Sequence, residues 1–154
     1  MIKKYFKKSE LGEIPEDWSV DKLADLCNSR PQYGAAISAI PKDIALPRYI
    51  RITDLNDDGF LKTEEWKSIS EEDAKSYLLS DGQILFARTG ATVGKTYMYR
   101  NEDGKCAFAG YLIRFIPDKN KLEPKFLFYY THSENYWKWL RSIQTEGVQP
   151  NVNA

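Results

Sequence analysis

The chain has 154 residues, with 22 Lys+Arg against 22 Asp+Glu and a formal net charge of zero. That length makes one domain able to bury about 68–70% of its unfolded surface, and 42% hydrophobic with 14% aromatic residues excludes a disordered chain. Zero net charge excludes a polybasic protein that holds nucleic acid through bulk charge, while leaving room for a local basic face.

Residues 1–17 read as a lead-in: Lys3, Lys4, Lys7 and Lys8, then a Gly12-Glu-Ile-Pro15 turn and Glu16-Asp17. The basic start has no apolar stretch after it, so it is not a signal peptide. The longest apolar runs, such as Ala107–Ile113, fall short of the roughly 20 residues of a membrane span. A cytoplasmic protein is expected. Cys27 and Cys106 lie far apart, which suits a reducing compartment and gives neither a disulfide framework nor a zinc pattern.

Val20, Leu23, Leu26 and Cys27 fall at helical spacing and predict a short amphipathic helix over 20–27. Pro31, Gly34, Pro41 and Pro47 make 28–47 extended chain and loops. Tyr49–Thr53 alternates and is β-branched, a strand, and Asn56-Asp-Asp-Gly59 is a turn. Ser70-Glu-Glu-Asp73 has the form of a capping box and opens a helix to about Leu78. Gln83–Arg88, Thr92–Tyr99 and Cys106–Ile116 are strands, the last two forming a hairpin about Asn101–Gly104. Pro124 suits the first position of a helix, which Phe126, Leu127, Tyr130, Trp137 and Leu140 continue across a break near 132–135. Gly147–Ala154 reads as a loop. The order predicts an α+β fold, a single domain with a twisted mixed, mostly antiparallel sheet and packed helices.

Enzymatic motifs fail one by one. Gly90-Ala-Thr-Val-Gly94-Lys95-Thr96 has three residues between its glycines where a P-loop has four, and a strand follows instead of a helix. It remains a pair of tight backbone positions, or a donor-rich loop for another phosphate such as a DNA backbone. Asp58 with Glu65 and Lys67 loosely fits a metal-dependent nuclease. But 53–73 holds eight acids against two bases, so a solvated acidic face is the plainer reading. His132, the one histidine, lies in no catalytic pattern and reads as a packing residue. Both cysteines read as buried hydrophobes. No cofactor loop of a methyltransferase is present, so no cofactor and no metal are expected.

Binding remains. Base readout uses Arg, Lys, Gln and Asn, with hydroxyls and amides on phosphates. Three loops offer such groups: Arg30, Gln32, Tyr33 and Lys42; then Arg88, Thr89 and Lys95; then Gln149 and Asn151. Each could equally be an ordinary polar loop. From 84 to 114 five bases (Arg88, Lys95, Arg100, Lys105, Arg114) face two acids, which could build one positive face.

Five strings in order carry a resemblance: Leu11-Gly-Glu-Ile-Pro-Glu-Asp-Trp18 with Lys22-Leu23, Tyr49-Ile-Arg-Ile-Thr-Asp54, Asp81–Lys95, Ala109-Gly-Tyr-Leu-Ile-Arg114 and Gly147–Asn153. Together they resemble the specificity subunit of type I restriction–modification systems. The resemblance implies a non-catalytic target recognition domain (18–147), an α+β unit reading one half of a split duplex DNA site. It also implies partners. Modification subunits would bind S-adenosylmethionine and methylate adenine, and through them restriction subunits would be reached. Residues 148–154 would begin the connection to a spacer helix that this sequence lacks. The Gly90–Lys95 loop, shared across the family, would serve folding or phosphate contact. Base choice would lie in 28–47 and near 140–150. A metal-dependent nuclease, or a protein-interaction module without DNA binding, stands as the alternative.

Overall fold

A computed structural model describes residues 5–144. Two strand-rich layers form where apolar residues alternate. β3 (Gln32–Tyr33), β9 (Leu112–Phe115), β6 (Ile84–Ala87) and β7 (Thr96–Met98) pair in that spatial order, all antiparallel. β5 (Lys67–Ser68), β4 (Arg48–Ile50) and β8 (Cys106–Phe108) make a second sheet, in which β4 and β8 run parallel. The α+β class with mostly antiparallel pairing is thus observed, but the strands divide between two sheets.

Period-two alternation sets the layers. On β6, Leu85 and Ala87 face Ile50, Leu55, Tyr97, Cys106, Phe108 and Leu112 between the sheets. Ile84 and Phe86 point the other way, onto Leu127, Phe128, Tyr136 and Leu140 of the helical layer. That layer is α2 (Pro124–Tyr130) and α3 (Glu134–Ile143). Pro124 stands in the first turn of α2, and Ser133 caps α3 by accepting from the Tyr136 amide at 3.3 Å. A buried hydroxyl pair, Thr96 and Thr131 at 2.7 Å, ties β7 to the end of α2. A third cluster of Ala35, Tyr49, Ile69 and Ala107 covers the outer face of β4 and β8, beneath the short α1 (Glu71–Ala74). Among the described residues no helix is long and apolar enough to cross a membrane.

Several expected elements change for tertiary reasons. The 20–27 helix is only a 3₁₀ turn at Leu23–Leu26. The chain then leaves to pair with 116–118, Asn28 N donating to Ile116 O at 2.9 Å. The strand from Tyr49 ends at Ile50, because the Asp54 carboxylate takes the Arg51 amide (2.8 Å) and guanidinium (2.7 Å) and closes a turn. The helix from Ser70 is α-helical to Ala74 and 3₁₀ to Tyr77. Thr92–Tyr99 and Cys106–Ile116 do not pair as a hairpin. β7 pairs with β6 and β8 with β4, so 99–105 crosses from one sheet to the other. The second segment breaks at 109–111, and β9 returns to the first sheet. Within the lead-in, β1 (Phe6–Ser9) and β2 (Gly12–Pro15) form their own hairpin, so Gly12–Pro15 is strand and not turn. Trp18 packs edge-on against Phe126 of α2 at 5.3 Å.

The β6–β7 loop is jammed onto α3. Gly94 has φ +86°, and a Cβ there would lie 2.1 Å from Leu140 Cδ2. Gly90 has φ +70° but nothing within 4 Å of such a Cβ. Gly94→Ala should therefore cost about 2–4 kcal/mol, strain plus overpacking, and Gly90→Ala only about 1–2 kcal/mol. Urea denaturation of both variants checks this; equal losses would refute the packing argument.

Candidate nucleic-acid interface

Three segments meet at one edge. The Gly34 amide donates to Leu112 O (3.1 Å), the Ala35 amide to Phe108 O (2.9 Å) and the Gly110 amide to Ala35 O (2.8 Å). This approach requires glycine at 34, where a Cβ would lie 2.2 Å from the Ala109 carbonyl oxygen. The Arg88 amide joins by donating to Tyr111 O at 3.0 Å. The edge therefore presents Tyr33, Arg88 and Tyr111 together. The Arg88 guanidinium lies over the Tyr33 ring, 4.6 Å from its centroid, and its Nε is buried with no hydrogen-bond partner among the described residues. The cation–π contact restrains the guanidinium over the ring. Tyr111 is 61% exposed.

Beside this edge the glycine loop is a tight connection between β6 and β7. Gly94 N donates to Ala87 O at 2.8 Å, and the buried Tyr136 hydroxyl donates to Gly94 O at 2.8 Å. Burial pushes the Tyr136 phenol well up, so it stays a donor. Thr89 is half-buried at the start of this loop, and Lys95, at its end, forms an ion pair with Asp57. The Lys95 hydrogen bond holds the Asp57 carboxyl below the usual carboxylate range.

The expected positive face is largely cancelled or buried. Lys95 meets Asp57 and Lys105 meets Glu71, both acids of the 53–73 run. Arg100 stacks on Phe60 at 4.2 Å. Arg114 turns inward: Nη1 donates to Leu78 O (2.8 Å) and Gln83 Oε1 (3.3 Å), Nη2 to Gln32 Oε1, and the guanidinium lies 5.1 Å from the Phe108 ring centroid. Burial lowers its pKa from the ordinary arginine value.

The first candidate loop divides. Arg30 is exposed ahead of β3. Gln32 is engaged inside the fold at both ends of its amide, Nε2 donating to Ser76 O at 3.2 Å and Oε1 accepting from Arg114. Lys42 sits over Trp66, 4.9 Å from the centroid, with Arg48 on the same ring at 5.7 Å. The backbone of 36–46 is anchored from below. Ser68 exchanges backbone bonds with Ile40 (3.0 and 3.1 Å), and its hydroxyl takes the Asp43 amide at 2.9 Å. The Tyr49 hydroxyl contacts Ala35 O at 2.7 Å and Ile37 O at 3.0 Å. The side chains of Ile37, Ile40, Lys42 and Ile44 stay exposed. Gln149 and Asn151 lie outside the described residues.

The remaining chemistry is structural. Asp58 Oδ1 accepts from the Phe60 amide at 3.3 Å, and Glu65 sits in a turn at φ +53°. Among the described residues no group of three or more His, Cys, Asp or Glu could hold a metal ion. His132 Nδ1 bonds Phe128 O at 2.7 Å, and its ring packs on Phe128. Burial raises the Cys27 thiol and pushes Cys106 up to about 12, so neither is a nucleophile near neutral pH. Asp57, Trp66 and Tyr111 escape sequence reading because only long-range contacts single them out.

Residues 15–154 match the family described as type I restriction modification DNA specificity domain. In Methanocaldococcus jannaschii, the specificity subunit named for the type I restriction enzyme MjaX is 33% identical over 128 residues, covering 80% of this chain and 30% of its own length. That of MjaVIII is 28% identical over 169 aligned positions, covering 98% and 36%. A chain in a solved structure concerned with complex assembly and conformational transition of the type I R-M system superposes with a TM-score of 0.64 at 17% identity, over 90% of this chain and 35% of that one. The shared fold is what this last likeness shows. The chain spans about a third of the length of these relatives.

Removing the Gln32 amide leaves Arg114 short of an acceptor in a half-buried site. Gln32→Ala should lower stability by about 1–3 kcal/mol, read by urea denaturation; unchanged stability would show that the amide is not structural.

Proposed function

Because the chain belongs to the type I restriction–modification DNA specificity family, we propose that it binds duplex DNA sequence-specifically, reading one half of a bipartite site. On this reading it directs partner methyltransferase and endonuclease subunits and performs no catalysis itself. The observation that carries the reading is the Arg88–Tyr33 stack, set where β3, the glycine loop and the 109–111 turn are bonded together. A guanidinium restrained over an aromatic ring suits contact to phosphate or a guanine edge. Arg88, Thr89 and Lys95 then serve the backbone. Arg30, Tyr33 and Lys42 serve the groove, with Gln149 and Asn151 completing the contact. Gln32 contributes indirectly, by holding β3 and Arg114.

The magnitudes fit a module that works in an assembly. A good bidentate base contact is worth about 1–3 kcal/mol, and cancelled surface charge supplies little non-specific hold. Partner subunits would provide much of the grip. A nuclease reading gains no support from Asp58, Glu65 and Lys67, since Asp58 closes its own turn.

Selection from a randomised duplex pool at two salt concentrations, with and without methyltransferase subunits and magnesium, tests this. Enrichment of a short half-site without cleavage is expected; no enrichment even with the subunits present would sink the reading, and magnesium-dependent cleavage lost in Glu65→Ala would replace it with the nuclease. Arg88→Ala should weaken binding about equally across sequences if the guanidinium meets phosphate. Loss confined to one base position would assign it to a base edge instead.

A further inference from the structure

Exposed ion pairs are commonly loose, because two long side chains must be held in one geometry. The Lys95–Asp57 pair differs in how its two backbones are fixed. Asp57 belongs to the turn 56–60, closed by Asn56 N donating to Phe60 O at 2.8 Å and by the Asp58 carboxylate on the Phe60 amide. That turn is seated on α2. Gly59 has φ +78°, and the place of its missing Cβ lies 2.5 Å from Phe128 Cε2 and 2.8 Å from His132 Nε2. Lys95 follows Gly94, seated on α3 against Leu140 and bonded through its carbonyl to the Tyr136 hydroxyl. Each member of the pair thus stands close to a glycine pressed onto the same helical layer. The helices, not the side chains, set their separation.

The pair is also asymmetric. The Lys95 side chain is 26% exposed and that of Asp57 92%. The cation is largely covered within the loop, and its acid partner stands in solvent. A carboxylate there offers the ammonium the same kind of contact as a phosphate oxygen.

We propose that Asp57 is a built-in stand-in for a DNA phosphate, holding the Lys95 ammonium when no duplex is bound and releasing it to a phosphate oxygen on binding. This rests on the reading of the domain as a DNA binder. It makes Asp57 a positioning residue that restrains sequence-independent hold on DNA: each Lys95–phosphate contact must displace an internal partner first. The displacement is required at any duplex, so it lowers the sequence-independent share of the affinity and leaves discrimination between sites to the base-edge contacts.

The test compares the full chain with Asp57→Asn, Lys95→Gln and the double variant, each binding the duplex enriched by selection and an unrelated duplex, over a salt series. Asp57→Ala is measured alongside, and circular dichroism confirms that each variant is folded. Asp57→Asn should bind both duplexes about twofold to fivefold more tightly at low salt with a salt slope close to the parent's, whereas Lys95→Gln should lose about one phosphate contact from the slope. The gain should vanish when Lys95 is already Gln. Equal gains with and without Lys95 would reduce Asp57 to a general repulsive charge and overturn the proposal, as would no gain in either Asp57 variant. If the parent chain shows neither enrichment nor salt-sensitive binding, and Lys95→Gln changes nothing, the DNA reading itself fails.

Discussion

Phe108 to Leu112 is where the chain leaves one sheet for the other, and the molecule is organised around that passage. The crossing brings the Ala109 carbonyl so near residue 34 that no side chain fits there. With glycine in place, backbone bonds from 34, 35, 88 and 110 close over the junction. Both sheets are thereby locked in one register, and the edge that carries Tyr33, Arg88 and Tyr111 is fixed by main-chain bonds rather than by side-chain packing. A binding surface built on such a frame has little ordering entropy left to lose when it meets a ligand.

Charge is arranged on the same economy. Arg114, a half-buried guanidinium on β9, has no carboxylate partner among the described residues. Carbonyl and amide oxygens and an aromatic face receive it instead. Neutral acceptors meet both Nη groups, though not the buried Nε, without placing a second ion in a half-buried site, where desolvation would offset much of the attraction. The lysines meet their acids at the periphery, where water screens both. The zero net charge of the chain is therefore not an even scatter of signs. The acidic run and the basic stretch are distant in sequence and folded face to face.

The parts of the fold legible in sequence are those decided locally. The Ser70 cap, Pro124 at a helix start and the apolar Ile84–Ala87 strand all stand where residue chemistry puts them. What escaped is decided by distant partners. Nothing near Cys106 says that it runs parallel to Arg48, and Ala109–Tyr111 looks like the middle of a strand until its pairing is known. The site divides in the same way. Arg88 and Lys95 were visible as loop cations, and the family motifs made the glycine loop stand out. Gln32 has the chemistry of a base reader, yet the fold uses both ends of its amide; only the position of Arg114 reveals this. Asp57 was hidden in an acidic run whose average character, solvated and repulsive, conceals one residue with a specific partner.

The anchoring of 36–46 bears on how freely the outward surface of the loop can vary. Ser68 and Tyr49 hold this loop almost wholly through its main chain, while Ile37, Ile40, Lys42 and Ile44 project outward with little role in the core. Substitutions at those outward positions alter the chemistry displayed without removing a bond that holds the loop. The loop is thus a socket with replaceable contents. Drift there can change the displayed surface in single steps, each leaving a folded protein, and an engineer could exchange the outward side chains between Ala35 and Pro47 without redesigning the body beneath.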